Sequence, residues 1–299
     1  MGLLTLLFAG TASIYSFKYF ILKDIVTKLK QWSKSAESLG QSLTVQFVLT
    51  ETLHSETVVR DNQVKEKIMP ISVHVPKHLK PFNDDEFGHY LAGLIDGDGH
   101  FSSNLELIIK FHLLDASLAY YVKQRIGFGS VKKVKDKNVL VLIIRAKKGV
   151  EKVLNLINGK NRRENNHVPL NLNQDLQNHW LAGFSDAVAS FHIKVRECSM
   201  APEVVLSYKI HKKLNMDLLL LIKDYLGGFY KDNTYCTMSY GSAKKVINYL
   251  DNFHLLSGSK HINFLKWRKA YLIVQNKDHL NQEGVNKILK LKRTSLQRW

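Results

Sequence analysis

The sequence predicts a mixed α/β fold made of two pseudo-symmetric halves that pack through one helix from each half. Two observations support this fold class. The stretch LAGLIDGDG at residues 91–99, followed by His100-Phe101, returns 90 positions later as LAGFSDAVA at residues 181–189, followed by Ser190-Phe191. With each stretch as its first helix, the apolar pattern predicts the same αββαββα-like order of helix, hairpin, helix, hairpin and helix. We therefore divide the chain into an extension with a linker (1–82), a first half (83–165) and a second half (166–299).

The N-terminal extension is apolar at first and then amphipathic. Residues 1–17 carry no charge but are slightly short for a membrane span, and residues 18–32 place apolar side chains at helical spacing with lysines on the other side. Two interpretations stay open, an anchor that contacts a membrane through residues 1–32 and a helix packed on the body of the protein. Residues 33–81 are polar and end in three prolines, which is typical of a linker or a loosely draped arm.

The first half starts with a strong helix signal. Residues 83–86 read Asn-Asp-Asp-Glu, which supplies a side-chain cap and negative charge for the first turn of a helix over 84–98. We expect Gly99 to end this helix in the left-handed conformation. Strands are predicted near residue 101 and over 105–112, a helix over 115–126, a hairpin over 130–135 and 139–145, and a helix over 148–157.

The second half repeats this order after a polar crossing segment at 160–173. Strands are predicted over 191–196 and 204–211, a helix over 217–225, a hairpin over 229–240 and a helix over 243–252. Two further helices, over 261–274 and 282–296, follow with a basic C-terminal end.

The repeated stretch carries a family resemblance. Residues 91–99 differ from the LAGLIDADG signature only at Gly97, which stands in place of alanine. The chain resembles double-motif LAGLIDADG proteins, the family of intron-encoded homing endonucleases and RNA maturases. The resemblance implies that the two motif helices pack closely through Ala92, Gly93, Ala182 and Gly183. It also implies a monomer with an internal pseudo-two-fold axis, alone or within a ribonucleoprotein.

The same resemblance implies where the chemistry lies. The family holds divalent metal, here Mg²⁺, between two acids that are the eighth residues of the motifs, and these metals serve phosphodiester cleavage. The first acid is Asp98, whereas Val188 replaces the second and offers no oxygen to a hard cation. The family's lysines near the active site match Lys160 and Lys260. The nearest matches to a residue that positions water are Asp115 and Lys212, and Asp186 is expected to support the structure.

Composition predicts a polyanionic partner. The chain has 43 Lys and Arg against 26 Asp and Glu, a net charge of +17, and a hydrophobic content of 45% that is ordinary for a folded protein. The family places its strands against nucleic acid as two curved ribbons. The matching contact residues here are Lys110, His112, Lys132, Lys133, Lys135, His192, Lys194, Arg196, Lys209, Lys212 and Lys213. The alternative for these side chains is a solvated sheet edge guarded by lysine.

The two cysteines, Cys198 and Cys236, form no paired motif, which favours a reducing compartment and argues against a disulfide or zinc framework. Three functions compete. The preferred one is a protein that binds structured RNA, as an intron maturase or a structural ribonucleoprotein component, and that has lost double-strand DNA cleavage. The alternatives are a Mg²⁺-dependent homing endonuclease or nickase acting on a long DNA site, and a membrane-attached remnant. Family resemblance places the protein in the mitochondrion.

Overall fold

The computed structural model describes residues 69–163, 175–196, 202–212 and 216–294. All elements named below lie in the compact unit Pro70–Trp299. The predictions for residues 1–68, which include the amphipathic helix and its membrane contact, lie outside the described residues. Among the helices of the described ranges, none combines the length and the apolar character needed to span a bilayer.

The first half contains three helices and four strands in the predicted order. The elements are α1 (Asp84–Asp98), β1 (Gly99–Phe101), β2 (Leu107–His112), α2 (Ala116–Ile126), β3 (Ser130–Lys133), β4 (Val139–Ile144) and α3 (Lys147–Ile157). Asn83 caps α1 as predicted, since its side chain accepts a hydrogen bond from the Glu86 N–H at 2.8 Å. A short 3₁₀ helix, Leu113–Asp115, joins β2 to α2.

The second half repeats this arrangement and adds two helices. Its elements are α4 (Trp180–Val188), β5 (Ala189–Arg196), β6 (Glu203–Ile210), α5 (Met216–Leu226), β7 (Phe229–Lys231), β8 (Thr234–Thr237), α6 (Tyr240–Asn252), α7 (Gly258–Gln275) and α8 (Gln282–Arg293). The linker residues 70–82 are held against α7 at their start, because Ile71 exchanges two hydrogen bonds with the Gln275 side chain.

Each half forms one antiparallel sheet with the same strand order. The orders are β1-β2-β4-β3 and β5-β6-β8-β7, so the two hairpins of each half meet through β2 and β4 or through β6 and β8. On β2, Leu107, Ile109 and Phe111 point to the helices and are buried, while alternate residues point outward. This internal repeat confirms the predicted fold class of two pseudo-symmetric halves.

The helix termini correct one expectation. Gly99 is not left-handed: its φ and ψ are −92° and 160°, and it starts β1 directly. Ala189 has nearly the same angles, −91° and 159°, at the corresponding place after α4. Because any residue can adopt extended backbone, replacing this glycine by alanine leaves the course of the second motif unchanged.

Candidate nucleic-acid interface

The motif helices α1 and α4 touch backbone to backbone at two glycines. A Cβ on Gly93 would lie 1.9 Å from the Trp180 carbonyl oxygen, and one on Gly183 would lie 2.0 Å from the Tyr90 carbonyl oxygen. Ala92 and Ala182 are fully buried beside them. The structure therefore places all four predicted small residues in one tightly packed helix pair, which we call the seam.

Two buried carboxylates tie each half to the other across the seam. Asp186 accepts hydrogen bonds from the Tyr90 hydroxyl at 2.7 Å and from the Leu256 and Ser257 N–H groups. Asp96 accepts from the Trp180 indole at 2.9 Å and, within its own half, from the main chain of the segment after α3. Burial raises the pKa of Asp186 to about 6. The expected structural role of Asp186 is consistent with these bonds.

The end of α1, which we call the first foot, carries Asp98 among cations. Asp98 is half-buried, and the Lys212 ammonium donates to the carbonyl oxygen of the preceding Gly97. Arg163 donates to the carbonyl oxygen of Asp96 at 2.7 Å. Desolvation and Arg163 lower the pKa of Lys212, while Asp98 and Asp96 act in the opposite direction. Lys212 thus reaches the first foot from the second half, and the water-positioning role that the resemblance suggested for it stays a prediction.

The end of α4, which we call the second foot, has a different chemistry. Val188 is partly buried and packs against the core. Lys260 is 5% exposed, and its ammonium donates to the carbonyl oxygens of Ser185 and Ala187, both at 2.9 Å. A cation at the carboxyl end of a helix stabilises that end. Lys260 therefore lies at the second foot, where the last turn of the motif helix binds its ammonium, and its catalytic role stays a prediction.

The structure does not bring Lys160 to the first foot. Its ammonium pairs with Asp85 at 3.1 Å, in the first turn of α1. At 1.5 Å per residue this is about 20 Å along the helix from Asp98. Arg163, which sequence reasoning missed, is the basic residue of that segment at the foot. The run Lys160-Asn161-Arg162-Arg163 offered three candidate cations, and spacing alone did not rank them.

Asp115 has a structural setting. It is 1% exposed and accepts from the Ser257 hydroxyl at 2.6 Å and from the Ser259 N–H at 3.2 Å. These bonds connect the first half to the beginning of α7, next to Lys260. These bonds give the carboxylate a structural role, and the water-positioning role that the resemblance suggested stays a prediction.

The donors at the two feet do not fit a pair of magnesium ions. Mg²⁺ prefers carboxylate oxygens and water in near-octahedral geometry. The first foot supplies one carboxylate, Asp98, and its neighbouring Gly97 carbonyl is bonded to Lys212. The second foot presents the methyl groups of Val188 where the partner carboxylate belongs. Within the described ranges, no three His, Cys, Asp or Glu side chains are arranged to hold a metal ion.

The outward face of the first sheet carries cations around an aliphatic strip. Lys110 and Lys132 both pair with Val141, so the three residues form one row across the sheet. His112 pairs with Val139 in the next row. Lys133 pairs with Leu140 and therefore points to the helix side at the sheet edge, and Lys135 lies in the following turn. Lys110, Lys132 and His112 share one face, and Lys133 does not.

The outward face of the second sheet is also basic. His192, Lys194 and Arg196 alternate along β5, and Lys209 lies opposite Ser190 on β6. Arg196 is already paired with Glu203 at 3.1 Å, which reduces its availability to an external phosphate. The remaining predicted contact, Lys213, lies outside the described residues.

Comparisons with known proteins agree with this geometry. A family model described as LAGLIDADG endonuclease matches residues 181–271. A Schizosaccharomyces pombe protein described as an uncharacterized cox1 intron-2 37.2 kDa protein is 47% identical over 97% of this chain and 97% of its own length. The intron-encoded DNA endonuclease aI3 of Saccharomyces cerevisiae is 26% identical over 65% of each chain.

A solved structure shows the same fold. I-SmaMI bound to uncleaved DNA target in the presence of calcium ions superposes with a TM-score of 0.54 at 20% identity, covering 69% of this chain and 97% of that one. The two motif helices, the repeated four-stranded sheets and these relatives lead to one conclusion. The chain is a member of the LAGLIDADG family of intron-encoded homing endonucleases.

Proposed function

We propose that the protein binds nucleic acid across the outward faces of its two sheets and makes no double-strand break. Its ligand in this proposal is structured RNA, which it serves as an intron maturase or as a structural ribonucleoprotein component. The observation that carries the proposal is the inequality of the two feet. Asp98 remains at the first, Val188 stands at the second, and the seam between them is fully packed.

Charge at the feet supports the loss of double-strand cleavage. Two cut strands need two competent sites, and a dication in a partly dry cleft needs anionic ligands to offset its desolvation. Here Lys212 and Arg163 bind the Gly97 and Asp96 carbonyl oxygens at the first foot, so bringing in a dication is opposed by two positive charges. The retained seam, with its buried carboxylates, preserves the platform for binding without requiring any of this chemistry.

A second candidate is a Mg²⁺-dependent nickase or homing endonuclease that acts on a long duplex DNA site. Asp98 favours it, because a single carboxylate with water and phosphate oxygens can complete one metal shell. The endonuclease name of the yeast relative and the DNA-bound state of I-SmaMI also support it. In both functions the cox1 intron origin of the fission yeast relative supports a mitochondrial location. Membrane contact through residues 1–32 remains a separate proposal.

One paired experiment tests the proposal. Binding of a fluorescent structured intron RNA and of a duplex DNA of equal length would be titrated at the same salt concentration. In parallel, a randomised duplex library would be incubated with the protein and magnesium or manganese, and any new ends sequenced. We expect tighter binding to RNA and no paired double-strand ends. Site-specific double-strand cleavage would overturn the proposal, and nicks on one strand would favour the second candidate.

A further inference from the structure

A serine and two histidines converge at the second foot, and only His192 among them is one of the predicted nucleic-acid contacts. The Ser190 hydroxyl lies 2.9 Å from His192 Nε2 and 2.8 Å from His211 Nε2. The main-chain N–H of His211 donates to the Val188 carbonyl oxygen at 3.2 Å, which fixes this residue beside the position of the lost acid. We call Ser190, His192 and His211 the second-foot cluster. It lies on the outward, solvent-exposed side of the sheet.

Proton counting shows that the cluster is built to donate. A hydroxyl carries one hydrogen, so Ser190 can donate to only one of the two imidazole nitrogens. The other imidazole must then carry its proton on Nε2 and donate to the serine oxygen. An incoming acceptor oxygen can replace the serine as the partner of this N–H and can receive the serine hydroxyl as well. The two Nε2 atoms are less than about 6 Å apart, a span that one phosphate group can bridge.

The charges around the cluster are positive. Burial lowers the pKa of both imidazoles, and Lys209 lowers it further for each. Each of two other groups acts on only one ring: Lys260 on His211, and His211 on His192. Lys209 faces Ser190 directly across β5 and β6. A metal cation is disfavoured in such a field, whereas an anion is attracted to it and strengthens each donated hydrogen bond.

The first half lacks this arrangement at the corresponding register. Gly99 pairs with Ile109 as Ala189 pairs with Ile210, so His100 corresponds to Ser190 and Lys110 to His211. The first half keeps its motif acid, and the cluster occurs in the half where the acid is gone. The second foot therefore differs from the first in two ways: it lacks the acidic metal ligand, and it carries the serine and the two histidines.

We infer that Ser190, His192 and His211 form a phosphate-binding site that contacts the nucleic-acid backbone directly, where the ancestral site reached it through a carboxylate-held metal ion. The inference rests on the proposed nucleic-acid binding and names one of its contact sites. Protonation of either ring converts its accepting nitrogen into a second donor, so backbone binding strengthens as the pH falls. Among the described residues, the charged groups that face the cluster besides the two rings are Lys209 from β6 and Lys260 from α7.

The test uses a double variant that carries both His192→Gln and His211→Gln. Its control is His74→Gln, which replaces an exposed histidine outside both sheets. Fluorescence anisotropy with a labelled structured RNA hairpin and a labelled 20-base-pair duplex would give affinity against salt at pH 6 and pH 8. We expect the double variant to bind roughly tenfold more weakly at pH 6, the value of one charge-assisted hydrogen bond. Its salt slope should fall by about one and its pH dependence should shrink, with the control unchanged.

A second measurement does not depend on variants. Inorganic phosphate would be titrated into the full chain labelled with ¹⁵N-histidine, and the ring nitrogen resonances of His192 and His211 should shift together. Equal affinity and salt slope in the double variant, or ring resonances that ignore phosphate, would overturn the site. If the unaltered protein binds neither nucleic acid, the proposed function fails, and the phosphate titration then decides the second-foot cluster independently.

Discussion

Adding a single methyl group to the seam should remove a large part of the protein's free energy of unfolding. In Gly93→Ala the new Cβ would lie 1.9 Å from the Trp180 carbonyl oxygen and 2.8 Å from the Phe184 nitrogen, both backbone atoms of α4. An ordinary carbon–oxygen contact is about 3.4 Å, so the helices must separate by about 1.5 Å along this line. No side-chain rotation can relieve the overlap, because the obstructing atoms belong to the backbone of a helix.

The cost follows from what this separation breaks. Overpacking a dense core by a methyl group costs about 1–3 kcal/mol, and an immovable neighbour places this site at the upper end. The crossing bonds from Tyr90 to Asp186 and from Trp180 to Asp96 lengthen at the same time, and each charged hydrogen bond contributes about 1.5–3 kcal/mol. We expect a loss of about 3–5 kcal/mol in the free energy of unfolding, measured by urea titration. The melting temperature should fall by roughly 10 °C.

Gly241→Ala is the matched control. Gly241 lies in α6, and a Cβ there would meet nothing within 4 Å. Alanine is the better helix former, so this variant should gain up to about 1 kcal/mol. A Gly93→Ala protein that unfolds within about 0.5 kcal/mol of the unaltered chain would refute the close contact between the motif helices and, with it, the two-half architecture.

Three other outcomes follow from the site. Lys132→Ala should lower the salt slope of nucleic-acid binding by about one. Lys133→Ala, on the other side of the same strand, should leave the slope unchanged. Equal slopes for both variants would place the phosphate contacts elsewhere. Val188→Asp alone should not restore magnesium-dependent cutting in a plasmid-nicking assay. The double variant Val188→Asp with Lys212→Gln should yield slow nicking, because it also removes a cation next to Asp98. Cutting by the single variant would contradict this role of Lys212. Burial raises the folded-state pKa of Asp186 to about 6, above its unfolded value, so its contribution to stability is present below about pH 4 and is lost as the pH rises through 6. Asp186→Asn should remove that part of the pH dependence in urea titrations at pH 4 and pH 7. If the difference in unfolding free energy between the two pH values is unchanged in the variant, this role of Asp186 is wrong.

Most of the fold could be read from the sequence because it is encoded locally and encoded twice. The cap at Asn83, the motif helix Asp84–Asp98 and the hairpin turn near Asp136 all follow from short-range signals, and the structure has them within a few residues of the expected bounds. The conformation of Gly99 was predicted wrongly because helix-ending glycines are often left-handed. Here the chain continues straight into a strand, and a Cβ on this glycine would crowd Ile95 at 2.8 Å.

The site was less predictable because it depends on contacts between distant residues. Lys160 matched the family position by spacing, yet its side chain turns toward Asp85, and Arg163 reaches the foot instead. Asp115 was recognisable as polar and well placed, but its partners Ser257 and Ser259 lie more than 140 residues away. The second-foot cluster joins β5 to the residue after β6, so only the strand register shows that its members meet.

The one residue at which the first motif departs from the LAGLIDADG signature, Gly97, has a consequence for which halves can pair. A Cβ on Gly97 would lie 2.1 Å from the Ala187 Cβ, so the first motif omits a methyl group where the second supplies one. Two copies of the second half, paired by the same two-fold operation, would place alanine on alanine and collide. Two copies of the first half would leave an empty gap at that point. The seam thus discriminates between like and unlike halves, and it disfavours dimers in which two copies of the same half pair with each other.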